Sequence, residues 1–173
     1  MAARPATGAA RLQAIINHCN ELHDPLPMSL HFTRSPAAAV RDQLADIALT
    51  CTTEDTDGLS LEELDEYPTL ALLASTHPLA AAPELTLAEL HSAPGFLADC
   101  PDLPLDELIA MVRFQNATIL VTGDLSTSLD DQLRAIPVTD ALTTVLCLAW
   151  NPEATHPSLT PFLKQARRSA YHR

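Results

Sequence analysis

The run Leu70-Ala-Leu-Leu-Ala is continuously apolar and ends at His77-Pro78-Leu79-Ala80. Proline has no N–H for a strand ladder and a fixed φ, so the run reads as a buried strand that stops in a turn. Leu85-Thr-Leu-Ala-Glu-Leu90 follows, with Thr86 and Glu89 at the spacing of a capping box, so a short helix opens there. A strand that is apolar on both faces needs cover on both faces. The cheapest cover in sequence is a helix on either side, which points to an α/β chain with parallel or mixed sheets.

The rest of the chain repeats this alternation. Residues 9–22 predict a helix, with Leu12, Ile15, Ile16, Cys19 and Leu22 on one face and Asp24, Pro25 and Pro27 ending it. Residues 28–33 alternate as a strand, Met28, Leu30 and Phe32 against Ser29, His31 and Thr33. Ser35 is expected to cap a helix that has Pro36 in its first position. Residues 46–51 read as a buried strand, residues 54–66 as an acidic solvated loop around Gly58, and residues 69–75 as the second buried strand. Further on, a helix is expected at 86–92, a short strand at 95–98, and a helix at 104–114 that buries Leu105, Leu108, Ile109 and Val112. A strand at 118–122 precedes a short helix near 126–133. A strand over 143–150 is broken by Asn151-Pro152, and a last helix spans 158–170. There is no internal repeat.

Composition narrows the function classes. The 173 residues are 47% hydrophobic but only 4% aromatic, so the core is aliphatic. A net charge of −12 repels a phosphate backbone and argues against direct nucleic-acid binding. The basic residues Lys164, Arg167, Arg168 and Arg173 read as the cationic end of the last helix. No apolar run approaches the roughly 18 residues that span a bilayer, and no secretory leader is visible, so no membrane association and a cytoplasmic location are expected. Cys19, Cys51, Cys100 and Cys147 form no Cys-x-x-Cys pair. The first, second and fourth read as small buried hydrophobes, and Cys100, between Asp99 and Pro101, stands apart. Only 4 glycines are present, which leaves neither a phosphate loop nor a dinucleotide fingerprint. No cofactor and no metal are expected.

Several motifs occur in a particular order. Leu44-Ala-Asp-Ile-Ala-Leu49 comes first, then the His-Pro-Leu-Ala turn, then the helix Leu85 to Leu90. Residues 108–123 follow as a helix running into a strand that ends at a glycine, and the chain returns through Val145-Leu-Cys-Leu-Ala-Trp150 to its last helix. This order resembles the effector-binding domain of LysR-type transcriptional regulators. The resemblance implies an α/β, periplasmic-binding-protein-like (type 2) two-lobed fold with mixed sheets, here truncated. It implies a lobe I of residues 1–75 with 142–173 and a lobe II of residues 76–141, with a ligand crevice between them. Two departures stand out. Only about eight residues precede the first helix, where the family has a strand and a Ser/Thr-rich turn, so Thr7 is left as turn remnant and helix cap. A strand–helix segment expected between Asp99 and Pro104 is absent. The chain begins at Met1 without room for a DNA-binding helix-turn-helix, so the expectation is a sensor without its reader.

Ligands of open α/β folds bind beyond the carboxyl ends of strands. That rule selects Thr33, Arg34, Ser35, Thr50, Thr52, Cys100 and Thr122 as ligand-binding candidates, and the resemblance adds Thr7 at the turn remnant. Arg34 with Ser35 suits a carboxylate or phosphate, although a helix cap alone is the plainer reading of Ser35. His31 with Asp99 or Asp124 is the acid–base combination a catalyst would use, and a solvent-facing strand histidine is the plainer reading. Cys51 and Cys100 are the candidate nucleophiles, without local support. The first functional expectation is a binding protein for a small molecule, an organic acid or pathway metabolite. It would act as a homodimer or as a heterodimer with a full-length regulator. The alternative is a biosynthetic enzyme of cyclase or isomerase type recruited from this fold.

Overall fold

The computed structural model describes residues 1–4, 8–22, 25–101, 103–122 and 129–170. Thr7, Asp124 and the expected start of a helix at 126 lie outside the described residues. In chain order the elements are β1 (Ala2–Ala3), α1 (Ala9–Asn20), β2 (His31–Phe32), α2 (Pro36–Arg41), β3 (Ile47–Cys51), β4 (Ser60–Tyr67) and β5 (Thr69–Ala74). A 3-10 turn at Pro78–Ala81 follows, then α3 (Leu87–Ser92), β6 (Phe96–Leu97), α4 (Leu105–Gln115), β7 (Thr118–Thr122), β8 (Leu133–Pro137), β9 (Thr144–Trp150) and α5 (Leu159–Ala170). The chain divides into two compact units, Met1–Glu66 with Val145–Arg173, and Tyr67–Thr144.

The first unit is built on a sheet of order β2-β1-β3-β9-β4. β1 pairs in parallel with both β2 and β3, and β3 is antiparallel to β9. Its small residues set its layer distances: Ala2, Ala48 and Ala149 present almost no bulk, and Ala39 and Val40 of α2 pack directly on them. Gly8, at the N-cap of α1, has φ +62, and a Cβ there would sit 2.7 Å from Leu146 Cδ2. Glycine is therefore favoured by the left-handed backbone, and any Cβ would also push on the buried Leu146 side chain.

Five features of this unit differ from the sequence expectation. A strand does precede α1, but at two residues β1 is too short to carry a period. The strand expected over 28–33 is only His31–Phe32, an edge strand on which Phe32 is 58% exposed. The acidic stretch is not all loop, because Ser60–Tyr67 forms the edge strand β4. Two of its acids are paired: Glu62 accepts from Arg167 Nε and Nη2 of α5 at 2.5 and 2.7 Å, and Asp65 accepts from Arg11 Nε of α1 at 2.6 Å. Ser35 and Pro36 do open α2, but the Ser35 side chain makes no capping bond. The cap position of α1 is Gly8 rather than Thr7.

The second unit has a sheet of order β6-β7-β5-β8, with β5 antiparallel to both neighbours. Strand 69–75, assigned from sequence to lobe I, is thus the centre of this sheet. Alternation along β5 serves both faces. Leu72 packs with Leu108, Val112, Ile119 and Leu133 beneath α4, while Ala71 and Leu73 pack with Leu85, Leu90, Ile136 and Val138 on the α3 side. Full burial of each leucine contributes about 1.5–3 kcal/mol. The capping box of α3 is complete: Glu89 N donates to Thr86 Oγ1 at 3.3 Å, and Thr86 N donates to Glu89 Oε2 at 2.8 Å. The helix expected near 126–133 is not what residues 133–137 form; they are β8.

Candidate functional site

β1, β2 and β3 run in parallel, so their carboxyl ends share one edge of the first sheet. Arg4 follows β1, Thr33, Arg34 and Ser35 follow β2, and Cys51, Thr52 and Glu54 end and follow β3. A backbone bond joins the ends of β1 and β2, Thr33 N donating to Ala3 O at 3.0 Å, and within the turn after β2 Ser35 N donates to Thr33 Oγ1 at 3.3 Å. Arg4 donates through Nε and Nη2 to the Arg34 carbonyl at 3.2 and 2.6 Å, and its Nε lies 3.7 Å from Glu54 Oε1. The Glu54 side chain is only 18% exposed. Arg34 is exposed, and its guanidinium makes no hydrogen bond or ion pair among the described residues.

The threonines divide. Thr52 is tied to β9, its N donating to Val145 O at 2.9 Å and its Oγ1 accepting from Val145 N at 3.3 Å. Thr50 is 1% exposed, and its hydroxyl has no partner among the described residues. It sits opposite Cys147 inside the sheet. Burial pushes the Cys51 thiol up to about 11, with Glu54 adding to the shift and Arg4 opposing it. At neutral pH that thiol is protonated, which removes the thiolate a nucleophile needs. Cys147 is likewise pushed up to about 11, chiefly by burial.

In the second unit β6 and β7 are parallel, so Asp99 and Cys100 after β6 and Thr122 at the end of β7 lie toward the same edge of that sheet. All three are exposed, and Cys100 is the exposed member of the four free cysteines. His31, on β2 of the first unit, is exposed and makes no side-chain hydrogen bond among the described residues, and Asp99 belongs to the other unit. Among the described residues no group of three His, Cys, Asp or Glu side chains is placed to hold a metal ion, and no helix is long and apolar enough to cross a membrane.

A cavity of about 320 Å³ lies at the other end of β5, lined by Thr76, His77, Gly95, Gln115 and Asn116 among others. It coincides with none of the candidates chosen from sequence. His77 is used structurally there: Nδ1 accepts from Leu79 N at 3.1 Å, and Nε2 lies 3.4 Å from Pro94 O, to which it can donate. Arg4 and Glu54 are the residues that sequence reasoning missed. Their only signal is position after a strand end, and β1 is too short to announce itself.

The LysR substrate binding domain model matches residues 1–130. No curated protein sequence matches the chain. Among solved structures, the oxidised form of Corynebacterium glutamicum OxyR superposes with TM-score 0.78 at 15% identity, covering 97% of this chain and 62% of that one. The present chain thus spans less than two thirds of that protein. A variant of the OxyR regulatory domain from Pseudomonas aeruginosa gives 0.74 at 14% identity, covering 98% and 96%. A reduced form of OxyR gives 0.79 at 17%, covering 98% and 93%. These likenesses establish the fold as periplasmic-binding-protein-like, type 2.

Proposed function

Because this chain belongs to the LysR substrate-binding-domain family, we propose that it is an effector-binding domain whose ligand is a small organic anion held at the carboxyl ends of β1, β2 and β3. One observation carries the reading. Arg4 is fixed on the Arg34 carbonyl where three parallel strands end, and the exposed Arg34 guanidinium has no protein partner among the described residues. A guanidinium offers a planar fork of donors that matches a carboxylate, and Thr33 still has a hydroxyl proton to donate. Ligand binding outside strand carboxyl ends is the rule in open α/β sheets.

The test is thermal unfolding of the full chain with small carboxylates and with inorganic phosphate. A ligand of the folded state raises the melting temperature with concentration. Arg34→Gln should abolish the rise without lowering the melting temperature of the unliganded protein. A rise that survives Arg34→Gln places the ligand elsewhere and rejects the reading.

Domains of this family typically oligomerise, and we propose a second copy of this chain as the partner. The edge strand β2 supports this: Leu30 is 40% and Phe32 58% exposed beside an unpaired ladder edge. Contiguous apolar surface of this kind marks interaction sites. Phe32→Asp should convert a dimer to monomer in light scattering; an unchanged mass rejects this edge as the interface.

A further inference from the structure

We propose that Glu54 sets the charge selectivity of the strand-end cluster, admitting ligands with one negative charge and disfavouring those with two. The inference rests on the anion-binding reading above and adds a residue and a ligand class to it. The charged residues Arg4, Arg34 and Glu54 follow the ends of β1, β2 and β3 at this edge. Arg4 is neutralised locally by Glu54 at 3.7 Å and has two of its donors committed to the Arg34 carbonyl. Among the described residues the cluster therefore carries one uncompensated cation, Arg34. Glu54 is fixed in place, because its side chain is four-fifths buried and its N donates to Cys51 O at 3.0 Å. The nearby acid Asp55 is occupied by Arg41 at 2.9 Å and is largely exposed, so it contributes little to the field at the site. A monoanion meets Arg34 and leaves the edge neutral. The second charge of a dianion finds no cation left and faces the Glu54 carboxylate in a partly desolvated setting, where like charges repel more strongly than in water.

The experiment measures apparent affinities by thermal shift and calorimetry for matched pairs, butanoate with butanedioate and benzoate with phthalate. For the wild-type chain each monoanion should bind at least tenfold more tightly than its dianion partner. Glu54→Gln should erase or invert that ratio by strengthening the dianion. Glu54→Asp, which keeps the charge, should preserve it and controls for misfolding in the first variant. Equal affinity for both members of each pair in the wild type overturns the inference, as does a ratio unchanged in Glu54→Gln. Those outcomes leave the anion site standing. If no carboxylate binds, the anion-binding reading falls and this inference falls with it.

Discussion

Arg11 of α1 and Asp65 of β4 form an ion pair in which the side chains are 8% and 10% exposed, with Nε 2.6 Å from Oδ2. An edge strand rich in acids is thereby locked to a helix through one of its two largely buried carboxylates. Removing either partner leaves the other charge buried, and that costs about 3–5 kcal/mol. Arg11→Ala and Asp65→Ala should each lower unfolding stability by that order in urea titrations. Replacing both with apolar residues of similar volume should recover most of the loss. Near-additive losses in the double variant would show that the pair is not coupled.

The capping box of α3 makes a pH-dependent contribution. The side-chain and backbone hydrogen bonds from Thr86 hold the Glu89 carboxyl below its ordinary value of 4.5. A depressed carboxylate stabilises the fold above its unfolded pKa, and that contribution is lost as pH falls through the lower folded value. Stability should therefore decline below about pH 4.5 more steeply in wild type than in Glu89→Gln. Thr86→Ala should cost about 1 kcal/mol at neutral pH. Parallel acid profiles for wild type and Glu89→Gln would remove the box from the account.

Gly95 sits at φ +74, and a Cβ there would collide with the carbonyl oxygen of Asn116. Asn116 is itself left-handed, at φ 53, where α4 ends. Both residues line the cavity beside His77. Gly95→Ala should destabilise by about 2 kcal/mol, since a left-handed non-glycine backbone alone costs about 1–3 kcal/mol. Hydrogen exchange should show the loss in β6 and β7, whose pairing begins with Thr118 N donating to Gly95 O at 2.8 Å. Uniform weakening across both units would contradict this.

What sequence could show depended on whether a residue's partner was near in the chain. Leu70 to Leu73 announced a strand covered on both faces, and Thr86 with Glu89 announced a helix start, because each signal is complete within a few residues. β4 was hidden because two of its inward positions, Glu62 and Asp65, are acids, and the arginines they pair with stand 105 and 54 residues away. β8 went unread because it is only five residues long, with Leu133 packing toward α4 and Ile136 toward α3, on opposite faces of a sheet. At the strand ends, Thr33, Arg34, Ser35 and Thr52 were legible from the carboxyl-end rule. Arg4 was not, because a two-residue strand has no period. Thr50 was placed at the same edge by its position, but its hydroxyl lies buried within the sheet.

The cysteines give the last prediction. Cys51 and Cys147 are pushed up to about 11, chiefly by burial, and burial raises Cys19 as well. Alkylation of the native chain at pH 8 should label Cys100 rapidly and the other three only at the rate of unfolding, because the thiolate is the reactive form and needs access. The same shifts have a thermodynamic sign. A folded pKa above the unfolded value of about 9 means that the native state holds its protons longer. The contribution is complete below pH 9 and is lost as pH rises toward 11, so stability should fall across that window. A Cys51→Ala, Cys147→Ala double variant should lose less stability than wild type between pH 9 and 11, even if it starts lower. Equal alkaline losses, or rapid labelling of Cys51 in the folded chain, would mean that these thiols are not held in the dry interior of the first sheet.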